Sequence, residues 1–79
     1  MTLAPGCIEK APAHPESTHE HAVVLRGQLR VRTPADDAVL GAGDAVFFRA
    51  DVPHSYENPG DVETVALLTM NNGGDWVMG

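Results

Sequence analysis

An all-β barrel is the fold this sequence predicts, and three observations predict it. No long segment carries apolar residues at helical spacing without a Gly or Pro interrupting it. Short β-forming runs alternate instead with turn signals at intervals of about 8–12 residues. Two of those runs, Val23-Val24-Leu25 and Ala66-Leu67-Leu68, are apolar at consecutive positions. That pattern belongs to strands covered on both faces, by a second sheet or by a partner subunit.

Taken in order, Thr2–Leu3 and Cys7–Ile8 flank a Pro5-Gly6 turn, and His21–Leu25 runs to a corner at Gly27. Gln28–Arg32 returns from that corner, which makes the two a hairpin. Thr33-Pro34-Ala35-Asp36-Asp37 is a second turn, Ala38–Leu40 a short strand and Gly41-Ala42-Gly43-Asp44 a tight loop. Ala45–Arg49 is a strong β segment with Phe47 and Phe48 at its centre. Asp51 and Pro53 introduce His54–Glu57, and Asn58-Pro59-Gly60-Asp61 turns the chain into Val62–Met70, the longest strand expected. The segment Asn71–Asp75 reads as loop, with Trp76, Val77 and Met78 beyond it as packing residues.

Length and charge narrow the function. Seventy-nine residues make one domain, 1–79, since a second core needs roughly 50 more. A domain of this size buries only about 60% of its unfolded surface and leans on a metal, disulfides or a partner. The one cysteine, Cys7, excludes an internal disulfide, fits a reducing cytoplasmic setting and has no neighbour in sequence that would activate its thiol. A net charge of −6 with five Lys and Arg argues against direct contact with nucleic acid or an anionic membrane. No apolar run approaches the ~18 residues of a membrane span, and no signal peptide is recognisable. A homodimer is expected from the doubly apolar strands.

Chemistry concentrates between His14 and His21. On an extended strand His14, Glu16 and Glu20 share one parity, and His19 and His21 the other. The even set is the better candidate for the barrel interior, with His19 and His21 left to the surface or an interface. Tyr56 and Asn58 share parity with His54 and are candidates for lining a pocket, Asn58 equally for capping a turn, and Arg49 is either a ligand contact or one half of an exposed pair with Asp51.

These residues carry a resemblance over nearly the whole chain. The sequence resembles the cupins, whose first motif reads HxHx(3,4)Ex(6)G and whose second reads Gx(5)PxGx(2)Hx(3)N. His14, Glu16, Glu20 and Gly27 occupy the first, with Glu16 in place of the second histidine. Gly43, Arg49, Asp51, His54 and Asn58 occupy the second, with Arg49 and Asp51 replacing its Pro and inner Gly. The resemblance implies a double-stranded β-helix, or jelly-roll, barrel and a divalent metal ion (Mn, Fe, Zn or Ni) on His14, Glu20 and His54, with Glu16 as a fourth ligand. A carboxylate in place of an imidazole favours harder ions.

A narrower similarity, carried by Leu3–Gly6, His14-Pro15, Glu20–Gly27, Gly43–Phe48 and Pro53-His54, is to the C-terminal sensor half of bacterial XRE-type helix-turn-helix regulators. It implies a non-catalytic domain that binds a small polar effector and takes part in transcription regulation, contacting DNA only through a helix-turn-helix that this chain lacks. The alternative is a small metal-dependent enzyme of the oxygenase or isomerase type, since two histidines and one carboxylate also serve non-haem iron. The fold does not separate the two.

Overall fold

The computed structural model of the chain describes residues 1–72. The segment 73–79, with Trp76, Val77 and Met78, lies outside the described residues. Among the described residues eight strands follow one another without a helix: β1 (Thr2–Leu3), β2 (Ile8–Ala11), β3 (Thr18–Arg26), β4 (Gln28–Arg32), β5 (Asp37–Gly41), β6 (Ala45–Arg49), β7 (His54–Glu57) and β8 (Thr64–Asn72). They form two four-stranded antiparallel sheets, ordered β1-β8-β3-β6 and β2-β7-β4-β5. Two sheets facing across a core agree with the expected jelly-roll barrel.

The alternation along β3 places the core. Thr18, Glu20, Ala22 and Val24 are buried, while His21 is exposed and His19 and Val23 are half-buried. From the opposite sheet Leu29, Val31 and Tyr56 meet Ala22, Val24, Ala66 and Leu3. Gly27 makes the β3–β4 corner at φ +75°, and a Cβ there would lie 2.7 Å from the Glu63 carbonyl oxygen. Glycine is required on both counts, by the left-handed backbone and by the close approach.

Several boundaries differ from the sequence expectation. β3 starts at Thr18, three residues before His21, because its pairing with β6 and β8 runs out to His19↔Arg49 and Thr18↔Asn72. Asn71 and Asn72 therefore belong to a strand. At the other end Val62 and Glu63 stay in the turn, where the Asn58 amide donates to the Val62 carbonyl at 2.7 Å. Asp37 opens β5 and does not close the preceding turn. The apolar runs are covered on one face: Val24 and Ala66 are buried, whereas Leu25 and Leu67 remain 53% and 57% exposed.

Candidate metal centre

Glu20 points into the barrel from the middle of β3 and is fully buried. The Tyr56 hydroxyl, from β7 on the facing sheet, donates to its Oε1. Burial, the hydrogen bond to Glu20 and the nearby carboxylates of Glu20 and Glu9 together hold the Tyr56 phenol protonated, with its pKa raised well above the usual value. Tyr56 is therefore a fixed donor to one carboxylate oxygen.

His54 begins β7 and is 4% exposed. Its Nδ1 lies 2.8 Å from the Val52 carbonyl oxygen. A carbonyl only accepts, so Nδ1 carries a hydrogen and Nε2 is the ring nitrogen turned inward. That Nε2 stands 3.8 Å from Glu20 Oε2, and among the described residues these two are the buried side-chain polar atoms with no hydrogen-bond partner. Two buried acceptors facing each other are unfavourable unless a cation or proton lies between them.

His14 completes the group. Its ring sits 5.3 Å from that of His54, centroid to centroid, and one donor atom each of His14, Glu20 and His54 falls within 4.8 Å of the others. Two imidazoles and a carboxylate at this spacing fit a divalent transition metal, and the Nδ1 contact to a backbone carbonyl is the usual outer support of a metal-binding histidine. Such an ion supplies positive charge and open coordination positions for a ligand.

The route by which His14 arrives differs from the parity expectation. His14 and Glu16 are not on β3. Pro15 accepts a hydrogen bond from the Thr18 amide at 3.1 Å, and Ser17 has a left-handed φ of +67°, which costs a non-glycine residue about 1–3 kcal/mol. The turn breaks the alternation ahead of Thr18. His14 is brought in by a different anchor, its amide donating to the Ala50 carbonyl at 2.9 Å. Glu16, expected as a fourth ligand, is exposed and outside the group.

Two other expected contacts are placed elsewhere. Asn58 is fully buried, but its amide donates to the Leu3 and Val62 carbonyls and its Oδ1 accepts from the Gly60 amide. Its polar capacity is spent on fastening the β7–β8 turn and β1, away from the barrel interior. Arg49 points outward from β6 with its side chain 69% exposed and forms a two-point contact with Asp51, Nε to Oδ1 at 3.1 Å and a terminal nitrogen to Oδ2 at 2.7 Å. It still lines, with Thr33, Asp36, Phe47, Phe48 and Val52, a cavity of about 400 Å³. Phe48 connects that cavity to the site: its ring packs edge-on against His54 at 5.6 Å and Tyr56 at 6.5 Å. Sequence reasoning missed Phe48 because an aromatic residue in a strand carries no mark of which face it will take.

On the outer face of the same sheet, His19 stacks on Phe47 with rings 5.2 Å apart and 4° from parallel, and His21 meets Phe47 edge-on. Both histidines face away from the group, as their parity requires.

Comparison with known proteins agrees with this architecture. The family profile described as "Cupin domain" matches residues 1–70. The chain is 37% identical over 61 residues to the HTH-type transcriptional regulator SutR of Escherichia coli K12, an alignment covering 77% of this chain and 34% of that protein. It thus spans about a third of its curated relative. The crystal structure of the cupin domain of an XRE family transcriptional regulator from Enterobacter cloacae superposes with a TM-score of 0.79 at 27% identity, covering 90% of this chain and 74% of the other. A predicted oxalate decarboxylase from Thermotoga maritima superposes with a TM-score of 0.65 at 26% identity, covering 89% and 62%. With the two facing sheets, the inward His-Glu-His group and a family match over most of its length, this chain belongs to the cupin family.

Proposed function

We propose that this chain is an effector-sensing cupin barrel of a transcriptional regulator, holding a divalent metal ion on His14, Glu20 and His54 and taking a small polar ligand through the cavity beside Phe48. The observation that carries the site is the pair of buried acceptors, His54 Nε2 and Glu20 Oε2, which face each other unpartnered. The regulatory context is supported by the similarity to helix-turn-helix regulators. DNA contact belongs to a segment outside this chain, in keeping with its net charge of −6. Two neutral imidazoles and one carboxylate leave a divalent ion with a net positive charge, which favours an anionic or strongly polar ligand.

The test is elemental analysis of the purified protein with melting curves before and after chelation. A near-stoichiometric metal, and a melting temperature lowered by chelation, is the expected result; an ion at 100 times its Kd stabilises by about 2.7 kcal/mol. His54→Ala should remove both the metal and the response to chelation while the strands persist. Metal content unchanged in His54→Ala would discard the site.

A second reading, a small metal-dependent enzyme, is favoured by the same donor set, which leaves coordination positions open, and by the structural likeness to a predicted oxalate decarboxylase. Turnover of a bound carboxylate by the metal-loaded protein would support it. Saturable binding without turnover supports the sensor.

A partner subunit is part of the proposal. Val23 lies between Leu67 and Ala45, and His21 between Thr69 and Phe47, on the outer face of the β1-β8-β3-β6 sheet. With Leu67 57% and Phe47 56% exposed, this face carries an apolar patch, and a second copy of the chain would cover it.

A further inference from the structure

We propose that Asp51, locked in place by Arg49, is the positioning residue for His14: it holds the turn through Ser17 in the one conformation that delivers the His14 imidazole to Glu20 and His54. The metal consequence of this proposal rests on the reading above; the positioning itself does not.

His14 needs outside help. Among the described residues its side chain has no hydrogen-bond partner, so no polar contact aims its ring as the Val52 carbonyl aims His54. Its placement follows from the path of residues 14–17, which the β6–β7 segment 50–51 tethers by three hydrogen bonds to residues 14–18. The His14 amide donates to the Ala50 carbonyl at 2.9 Å, and the Ala50 amide donates to the Thr18 carbonyl at 2.9 Å. The third tether is the Ser17 amide, which donates to Asp51 Oδ2 at 3.1 Å. Ser17 is where the chain is left-handed, so without an outside acceptor for its amide a serine would leave this conformation.

The acceptor is itself immobilised. Asp51 has its side chain only 6% exposed, and Arg49 grips both of its oxygens. A two-point guanidinium–carboxylate contact fixes the plane of the carboxylate as well as its position. The carboxylate is thereby aimed at the Ser17 amide, and both neighbours favour its charged form.

The departures from the second cupin motif fall at these positions. Arg49 stands where the second motif has Pro, and Asp51 where it has the inner Gly. Neither a proline nor a glycine has a side chain that could make this clip. The clip is therefore a property of this chain's own residues, acting through His14 and touching no metal.

The experiment combines metal-free and metal-loaded measurements. In metal-free wild-type protein, a nuclear Overhauser contact between the ring protons of His14 and His54 is expected. It should vanish in Asp51→Ala and return in part in Asp51→Asn, whose amide oxygen still accepts from Ser17 while its NH2 can no longer accept from Arg49. Titration with Co2+, followed by its visible absorption, should show Asp51→Ala weakened about 10–100-fold, and His14→Ala by as much or more. The double variant should bind no more weakly than His14→Ala alone, since Asp51 acts only through His14. A ring contact that survives in Asp51→Ala, or a double variant whose losses simply add, would overturn the proposal. If wild-type protein binds no Co2+ but the ring contact is lost in Asp51→Ala, positioning stands and the metal reading falls. Should Asp51→Ala fail to fold, Asp51→Leu replaces it, keeping the branched shape without an acceptor.

Discussion

Glu20 is the residue on which folding and binding make opposite demands. Its Oε1 is satisfied by the Tyr56 hydroxyl, while its Oε2 faces His54 Nε2 at 3.8 Å without a hydrogen-bond partner. An amide in place of the carboxylate reverses this. In Glu20→Gln the oxygen can still accept from Tyr56, and the amide nitrogen can donate to His54 Nε2. Metal-free Glu20→Gln should therefore melt higher than metal-free wild type, by about 0.5–1.5 kcal/mol for the hydrogen bond gained, and should no longer respond to added metal. Calorimetry with and without chelator reads both effects, and a lower melting temperature in the metal-free variant would contradict the facing-acceptor geometry. Glu20 and His54 were legible as inward-facing residues in sequence because they sit inside strands, where parity governs direction. Glu16 was misplaced because one left-handed residue, Ser17, interrupts the alternation, and a serine gives no warning of it as a glycine would.

At the level of the element, the β3–β4 corner and the β4–β5 hairpin are the most exacting. Gly27→Ala adds a Cβ at 2.7 Å from a backbone oxygen at a positive φ, and neither the Glu63 carbonyl nor the corner can yield cheaply. A loss of about 1–3 kcal/mol is expected for the backbone strain alone, read as a lower urea midpoint with unchanged slope.

In the hairpin, Asp37 takes a two-point contact from Arg30, at 2.9 and 2.7 Å, and a longer one from Arg32. The hydrogen bond from Arg30 is the main cause that lowers the Asp37 pKa from 3.8 to about 2. A carboxylate depressed in the folded state adds stability that is full above its unfolded pKa and is lost as pH falls through the folded one. The melting temperature of wild type should therefore fall more steeply than that of Asp37→Asn between pH 3.8 and about 2. The strands themselves were readable from turn chemistry, with β4 and β6 recovered to the residue. The ends of β3 and β8 were not: cross-strand pairing extended β3 at both ends and β8 at its far end, while Val62 and Glu63 were kept in the turn before β8.

Across the whole molecule, the limiting quantity is apolar burial. Leu29 is the largest fully buried side chain, and Leu29→Ala should cost about 2–5 kcal/mol, enough to unfold much of a domain whose core supplies only about 3–5 kcal/mol. Calorimetry should then show little or no cooperative transition at 37 °C. The uncovered sheet face bears on the same balance. Leu67→Asp places a charge at its centre, opposite Val23, and sedimentation should show a dimer of wild type shifted to monomer in the variant. A wild-type monomer at micromolar concentration would remove the dimer from the proposal.

By itself the sequence determined the fold class, most of the strands, the inward placement of Glu20 and His54, and the family. Each of these is a local property: turn residues punctuate the chain, and side chains alternate along an extended backbone. Only the tertiary structure decided that His14 reaches the group from a turn clipped to the β6–β7 loop and that Asn58 fastens a turn to β1. Those outcomes depend on contacts between segments more than 30 residues apart, His14 with Ala50, Ser17 with Asp51 and Asn58 with Leu3. No pattern read along one strand carries that information.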